Sequence, residues 1–268
     1  MVPRVAKLMG LVALVCVAIG CEKENLGTDP GIQAVDTVAG PLPEKGPDQY
    51  WVKLETTRGD VFVEVHRAWS PYGADRFYEL VKSGYLDGCK FFRVAGFVVQ
   101  FGINGDPQVS AKWRDKNLPD DTYQRRDPNR HSNTRGYLSF AKPQNIPNAR
   151  STQVFINCLD NSQLDRQGFT PFGIVLSGMS VIDSLYSGYG EEPLSSQERI
   201  QTEGDAYLTS AFPRLDSIKK AILLPAKPEL PKPADDEKKS SEPKPPDPKP
   251  SEPKPSAGPP APAKKSAG

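Results

Sequence analysis

Between residues 50 and 65 the chain alternates apolar and polar side chains in two short runs, Tyr50-Trp51-Val52-Lys53-Leu54-Glu55-Thr56-Thr57 and Val61-Phe62-Val63-Glu64-Val65, parted by Arg58-Gly59-Asp60. Period-two patterning about a glycine-containing turn predicts a β-hairpin. Pro71 then opens a segment in which Phe77, Leu80 and Val81 share one face before Ser83-Gly84, which predicts a helix over 71–82. Strand-like runs follow at 90–94, 97–101, 136–141, 153–158 and 171–176. Residues 179–186 and 198–212 pattern as helices, and 215–224 as a last strand. Many short strands with two or three helices predict a mainly β fold whose sheet is closed or nearly so.

That pattern stops at residue 224. Of the 28 prolines in 268 residues, 14 lie in residues 225–268, where Ser241-Glu242-Pro243-Lys244-Pro245 recurs as Ser251-Glu252-Pro253-Lys254-Pro255. Such sequence favours extended polyproline II and buries too little apolar surface for a core, so 225–268 is expected to be a disordered Pro/Lys/Glu-rich tail. It reads either as a solvated spacer or as an attachment to the cell wall or a partner protein. Residues 21–48, rich in Gly, Pro, Asp and Glu without apolar periodicity, read as a flexible tether. The span 49–224 is long enough to bury one sizeable core without disulfides or a metal.

At the N-terminus, Arg4 and Lys7 precede the uncharged stretch from Leu8 to Gly20, which is too short to span a bilayer; residues 1–20 have the pattern of an export signal. Its end, Ala18-Ile19-Gly20-Cys21, resembles the lipobox of bacterial lipoproteins, which implies cleavage before Cys21 and lipidation of that residue. The other reading is an ordinary secretory signal beside an incidental cysteine. Acyl chains would anchor the protein to a membrane surface rather than across it. Glu22 does not resemble the Asp that retains lipoproteins at an inner membrane, so the expected address is the outer membrane, facing the periplasm.

Cys16 would leave with the signal and Cys21 would carry lipid, so Cys89 and Cys158 remain, either as one disulfide or as two separate thiols. His66 and His131 are the only histidines; they read as ordinary surface or turn residues, and no Cys/His spacing suits zinc. Residues 21–224 carry 23 Lys+Arg against 26 Asp+Glu, without a phosphate-binding footprint. Nucleic acid is not an expected partner.

The informative segments are FFRVAGFVVQFG (91–102), GYLSFAKP (136–143), STQVFIN (151–157) and LDRQGFTPFG (164–173), in that order. Together they resemble the cyclophilin-type peptidyl-prolyl cis-trans isomerases over roughly residues 50–224. The resemblance implies a closed eight-stranded β-barrel capped by two helices, with the active groove on its outer wall; the 198–212 pattern adds an extra C-terminal helix. It also implies that Arg93, Gln100 and Phe155 are catalytic, and that Phe97, Val98, Ala141, Lys142, Gln153, Leu164 and Phe169 bind substrate. This sequence departs from the family pattern: RVAGF is one residue shorter between arginine and phenylalanine, Val98 stands in place of methionine, and Phe92 and Gln163 stand where many members have a histidine and a pocket tryptophan, which bacterial members often lack; insertions at 106–131 and 144–150 suggest long loops near the groove.

Those residue types suit the chemistry. Rotation about an X-Pro bond faces a barrier of about 20 kcal/mol because the nitrogen lone pair is delocalised into the carbonyl. An arginine donating toward that nitrogen as it pyramidalises binds the twisted state more strongly than the planar one, and an apolar cup keeps water from the amide. No proton transfer, metal or cofactor is required. The expected protein is thus a monomeric, lipid-anchored isomerase of the bacterial envelope that assists folding of exported proline-containing polypeptides. The alternative is a peptide-binding or chaperone module that uses the same groove with little catalysis.

Overall fold

The computed structural model describes residues 41–122, 127–144 and 146–230. The expected export signal, the lipid site at Cys21, most of the tether and the tail beyond residue 230 lie outside the described residues. Eight strands form one antiparallel sheet: β1 Gln49–Thr56, β2 Asp60–His66, β3 Arg93–Val94, β4 Val98–Phe101, β5 Tyr137–Phe140, β6 Val154–Asn157, β7 Pro171–Ser177 and β8 Ile218–Leu224. Their order is β3-β4-β6-β5-β7-β2-β1-β8. The sheet curls until its two edges meet. Lys90, before β3, bridges Ser217, before β8, while Gly88 and Phe91 N–H donate to Ile218 and Asp216 carbonyls at 2.8 and 2.9 Å. The contact is made just before the two edge strands, which do not pair with each other along their length.

Alternation sorts the side chains by face. Val94, Val99, Ile156 and Leu138 lie opposite one another across β3, β4, β6 and β5 and all belong to the main core. The neighbouring row, Arg93, Gln100, Phe155 and Ser139, therefore stands on the outer wall. Helix α1, Pro71–Lys82, buries Ala74, Phe77, Leu80 and Val81 against β2, β7 and β8. Its first amides are met from a distance: Tyr72 and Gly73 N–H donate to the Asp121 carboxylate at 3.1 and 3.0 Å. That carboxylate does what a side-chain N-cap usually does.

Helix α2, Pro107–Trp113, lies in a stretch with no apolar periodicity to announce it. Its signal was the start: the Asp106 side chain accepts from Gln108 N–H at 2.8 Å and proline occupies the first turn. Helix α3, Met179–Asp183, is shorter than the pattern over 179–186 implied. The predicted helix over 198–212 is two, α4 Gln197–Glu203 and α5 Asp205–Ala211, because Gly204 takes φ 60°, ψ −139°. No residue with a side chain adopts that conformation readily, and a Cβ there would collide with the Gly105 carbonyl. Ile200, Leu208 and Phe212 from this pair bury together with Phe92 and Ile103 as a second, smaller cluster.

Cys89 and Cys158 are free and buried. Burial pushes the Cys89 thiol far up and the Cys158 thiol up to about 12; of the two readings left open, separate inert thiols is the one found. His66 and His131 sandwich Trp69, with ring centroids 4.0 and 3.8 Å from it.

Asp216 ties the start of β8 to the β1–β2 turn. Its carboxylate accepts from Thr57 Oγ1 at 2.7 Å, Arg58 Nε at 2.9 Å and Tyr186 N–H at 2.8 Å. Burial raises its pKa, yet these donors together outweigh burial and hold it below the usual range. A carboxyl whose folded pKa lies below its unfolded value of about 3.9 contributes fully above that pH, and the contribution is lost as pH falls through the folded value. Asp216→Asn is therefore expected to lower the thermal midpoint by roughly 3–6 °C at pH 7. The gap should narrow as the pH falls below about 4; parallel midpoint curves down to pH 3 would contradict this account.

Candidate active site

The shortened RVAGF segment folds as a tight hairpin. Ala95 N–H donates to Val98 O at 3.0 Å, leaving Gly96 and Phe97 as the tip. Beyond the tip, Val94 pairs with Val99 and Arg93 with Gln100. The missing residue thus leaves the arginine directly across from the glutamine. Arg93 Nη1 donates to Gln100 Oε1 at 3.3 Å, and Gln100 Nε2 donates to Gln153 Oε1 at 2.9 Å. This chain of bonds fixes the Gln100 amide, its oxygen toward the guanidinium and its nitrogen toward β6. Phe97, at the tip, is 38% exposed, with the Arg93 Cζ 5.1 Å from its ring centroid.

The apolar side of the site comes from β6 and the turn after it. Phe155 sits opposite Gln100 and meets Phe169 edge-on at 5.7 Å. A 3-10 turn over Ser162–Gln167 supplies Leu164, and Gly168 at φ 77° reverses the chain so that Phe169 N–H reaches the Leu164 carbonyl at 3.4 Å. Left-handed backbone at that point is what brings Leu164 and Phe169 to one cup. Asn161 Nδ2 donates to the Phe97 carbonyl at 2.9 Å, pinning the hairpin tip to the same turn.

All ten residues singled out in the sequence line one open cleft of about 680 Å³: Arg93, Phe97, Val98, Gln100, Ala141, Lys142, Gln153, Phe155, Leu164 and Phe169. Lys142 is already engaged. Its side chain is 7% exposed and its ammonium donates to Asp120 at 2.7 Å. What the cleft offers is an oriented guanidinium beside an aromatic cup.

One end wall falls in the 106–131 loop that the sequence places near the groove, though its residues were not singled out; the other was not anticipated. Arg114 and Asn117, just after α2, form one, and Leu194, Gln197 and Gln201, from the segment between α3 and β8, form part of the other. Glu191, also in that segment, makes an ion pair with Arg93. Neither wall lies within the four segments that carried the resemblance, and polar residues in loops give no periodic signal.

Residues 51–204 match the family model described as cyclophilin type peptidyl-prolyl cis-trans isomerase/CLD. A peptidyl-prolyl cis-trans isomerase of Acinetobacter baylyi is 30% identical over 139 residues, which is 50% of this chain and 70% of the relative. The peptidyl-prolyl cis-trans isomerase CYP18-1 of Arabidopsis thaliana is 35% identical over 153 residues, 54% of this chain and 89% of the relative. The peptidyl-prolyl cis-trans isomerase ppi1 of Schizosaccharomyces pombe is 34% identical over 131 residues, 48% of this chain and 81% of the relative. With more than half of the sequence matched, and a curled antiparallel sheet bearing the arginine–glutamine pair on its outer wall, the chain belongs to the cyclophilin-type peptidyl-prolyl cis-trans isomerases.

Proposed function

We propose that the domain isomerises X-Pro bonds of exported polypeptides in the bacterial envelope, with Arg93 as the catalytic donor and the cup of Phe97, Val98, Phe155, Leu164 and Phe169 as the proline site. The observation that carries this reading is the placement of the Arg93 guanidinium, bonded to Gln100, at the edge of that cup. A pyrrolidine ring seated against Phe155 and Phe169 would leave its nitrogen facing the guanidinium. Donation to the nitrogen strengthens as the lone pair localises, so the twisted amide is favoured over either planar form. Gln100 holds the donor, and the apolar walls withdraw water that would stabilise the planar, charge-separated amide. Gln153 and Ala141, with the backbone beside Lys142, are the surface on which the flanking peptide would lie.

In the full chain, Arg93→Ala is expected to slow isomerisation of an X-Pro peptide by about 10²-fold, the usual scale for removing one preorganised donor, with the circular dichroism spectrum unchanged. The wild-type rate should vary little between about pH 6 and 8, since the proposed step transfers no proton. A second reading, a peptide-binding or chaperone module with little catalysis, draws on the engagement of Arg93 by Glu191. A folded Arg93→Ala variant as fast as wild type would favour it.

The address rests on the N-terminal pattern alone. A signal ending at Gly20-Cys21 would put lipid on Cys21 and hold the isomerase at the periplasmic face of the outer membrane, the Pro-rich tail serving as a spacer or a contact to the wall. Cys21→Ser is expected to shift the protein from membrane to supernatant fractions on cell lysis. Mass spectrometry finding an unmodified N-terminus at another position would reject the lipid.

A further inference from the structure

We infer that Glu191 is a positioning residue for Arg93, supplied by the segment between α3 and β8; the inference rests on the reading that Arg93 is the catalytic donor. Glu191 Oε1 accepts from Arg93 Nε at 2.8 Å and also from Nη2. Gln100 accepts from Nη1 at 3.3 Å. A guanidinium carries five N–H groups. Glu191 and Gln100 engage three of them from two sides, which leaves one on each terminal nitrogen for a substrate. Held by Gln100 alone at that longer distance, the side chain could swing about its own axis.

The fold presents the carboxylate deliberately close. Val94 N–H donates to the Gly190 carbonyl at 3.3 Å, and Leu194 N–H to the Glu191 carbonyl at 3.0 Å, so the backbone on either side of Glu191 is fixed. Tyr189 and Leu194 pack on the second cluster, which also contains Phe92, the residue before Arg93. Both partners of the ion pair are therefore mounted on one small core. The side chains themselves remain 20% and 53% exposed. An ion pair that open adds little to stability, so its consequence is the direction in which the guanidinium points.

The test is steady-state kinetics on the full chain for wild type, Glu191→Gln, Glu191→Ala, Arg93→Ala and the Arg93→Ala/Glu191→Ala double variant. Glu191→Ala is expected to lower kcat by about three- to tenfold with KM nearly unchanged, as for a misaimed donor. Glu191→Gln keeps an acceptor without the charge and should fall between. In the Arg93→Ala background the Glu191 change should have no further effect, because the two act as one unit. The advantage of wild type over Glu191→Ala should also shrink in 1 M salt, where charges are screened within about 3 Å. A Glu191→Ala variant as fast as wild type, or faster, overturns the inference, as does an equal loss in both backgrounds, which would mark a merely structural contact. If Arg93→Ala itself keeps the full rate, the reading beneath the inference fails with it; an impaired Arg93→Ala beside an unimpaired Glu191→Ala overturns the inference alone.

Discussion

The site depends on strand register. Across β3, β4, β6 and β5, one row of residues fills the core and the next row, Arg93, Gln100, Phe155 and Ser139, stands on the outer wall. Because side chains alternate with a period of two, a slip of one residue in β4 would drive Gln100 inward and turn Val99 outward. The core forbids that: Val94, Val99, Phe101, Val154 and Ile156 are all buried in the main cluster. Apolar packing on one face thus fixes the polar geometry on the other. This is why a hairpin one residue shorter than the family's can still set arginine against glutamine: the change is absorbed at the tip, Gly96-Phe97, beyond the registered pairs.

The long connections between strands need a second device, and buried charge supplies it. Arg150 is almost wholly enclosed and donates to Asp121 at 3.0 Å and to the Pro119 carbonyl. Asp121 in turn accepts from Ser70 and the first amides of α1. Arg76, equally enclosed, donates to the Lys116 and Ser151 carbonyls at 2.7 and 3.2 Å. Two arginines therefore staple the 114–122 and 146–152 stretches to α1, and Arg114, Asn117 and Ser151 line the cleft from those stretches. Such a network is costly to desolvate, and removing one partner strands the other; losses of about 3–5 kcal/mol are typical of that event. Its return is placement, since loops with little apolar surface could not otherwise hold one wall in one position.

How much was legible follows from what each kind of residue must do. The β1–β2 hairpin and α1 were readable because one face of each is buried, and burial imposes a period. Arg93, Gln100, Phe155 and their neighbours were readable through resemblance, and the structure brings all ten to one cleft. The break at Gly204 was not read, because apolar spacing continues through it: Ile200 and Leu208 are both buried on either side of the kink. The partner of Lys142 was hidden as well. A lysine in a loop reads as solvated, and only the fold brings Asp120 to within 2.7 Å. Polar contacts between loops have no periodicity, so the Arg76 and Arg150 staples left no trace in the pattern.

One departure that looked incidental in the sequence acquires a physical reason. Phe91 packs in the main core, whereas Phe92, just before β3, belongs to the second, smaller cluster. An exposed phenylalanine there would forgo the roughly 1.5–3 kcal/mol available from burying such a side chain. The segment between α3 and β8 covers it: Ile200, Leu208 and Phe212 pack with Phe92 and Ile103. The dependence runs in both directions, because two seven-residue helices are too short to be stable without a tertiary apolar contact. Phe92 is part of the apolar contact that these two helices need, and it lies one peptide from Arg93. The cluster that seats the helices is therefore also the one that brings the segment carrying Glu191 beside the arginine.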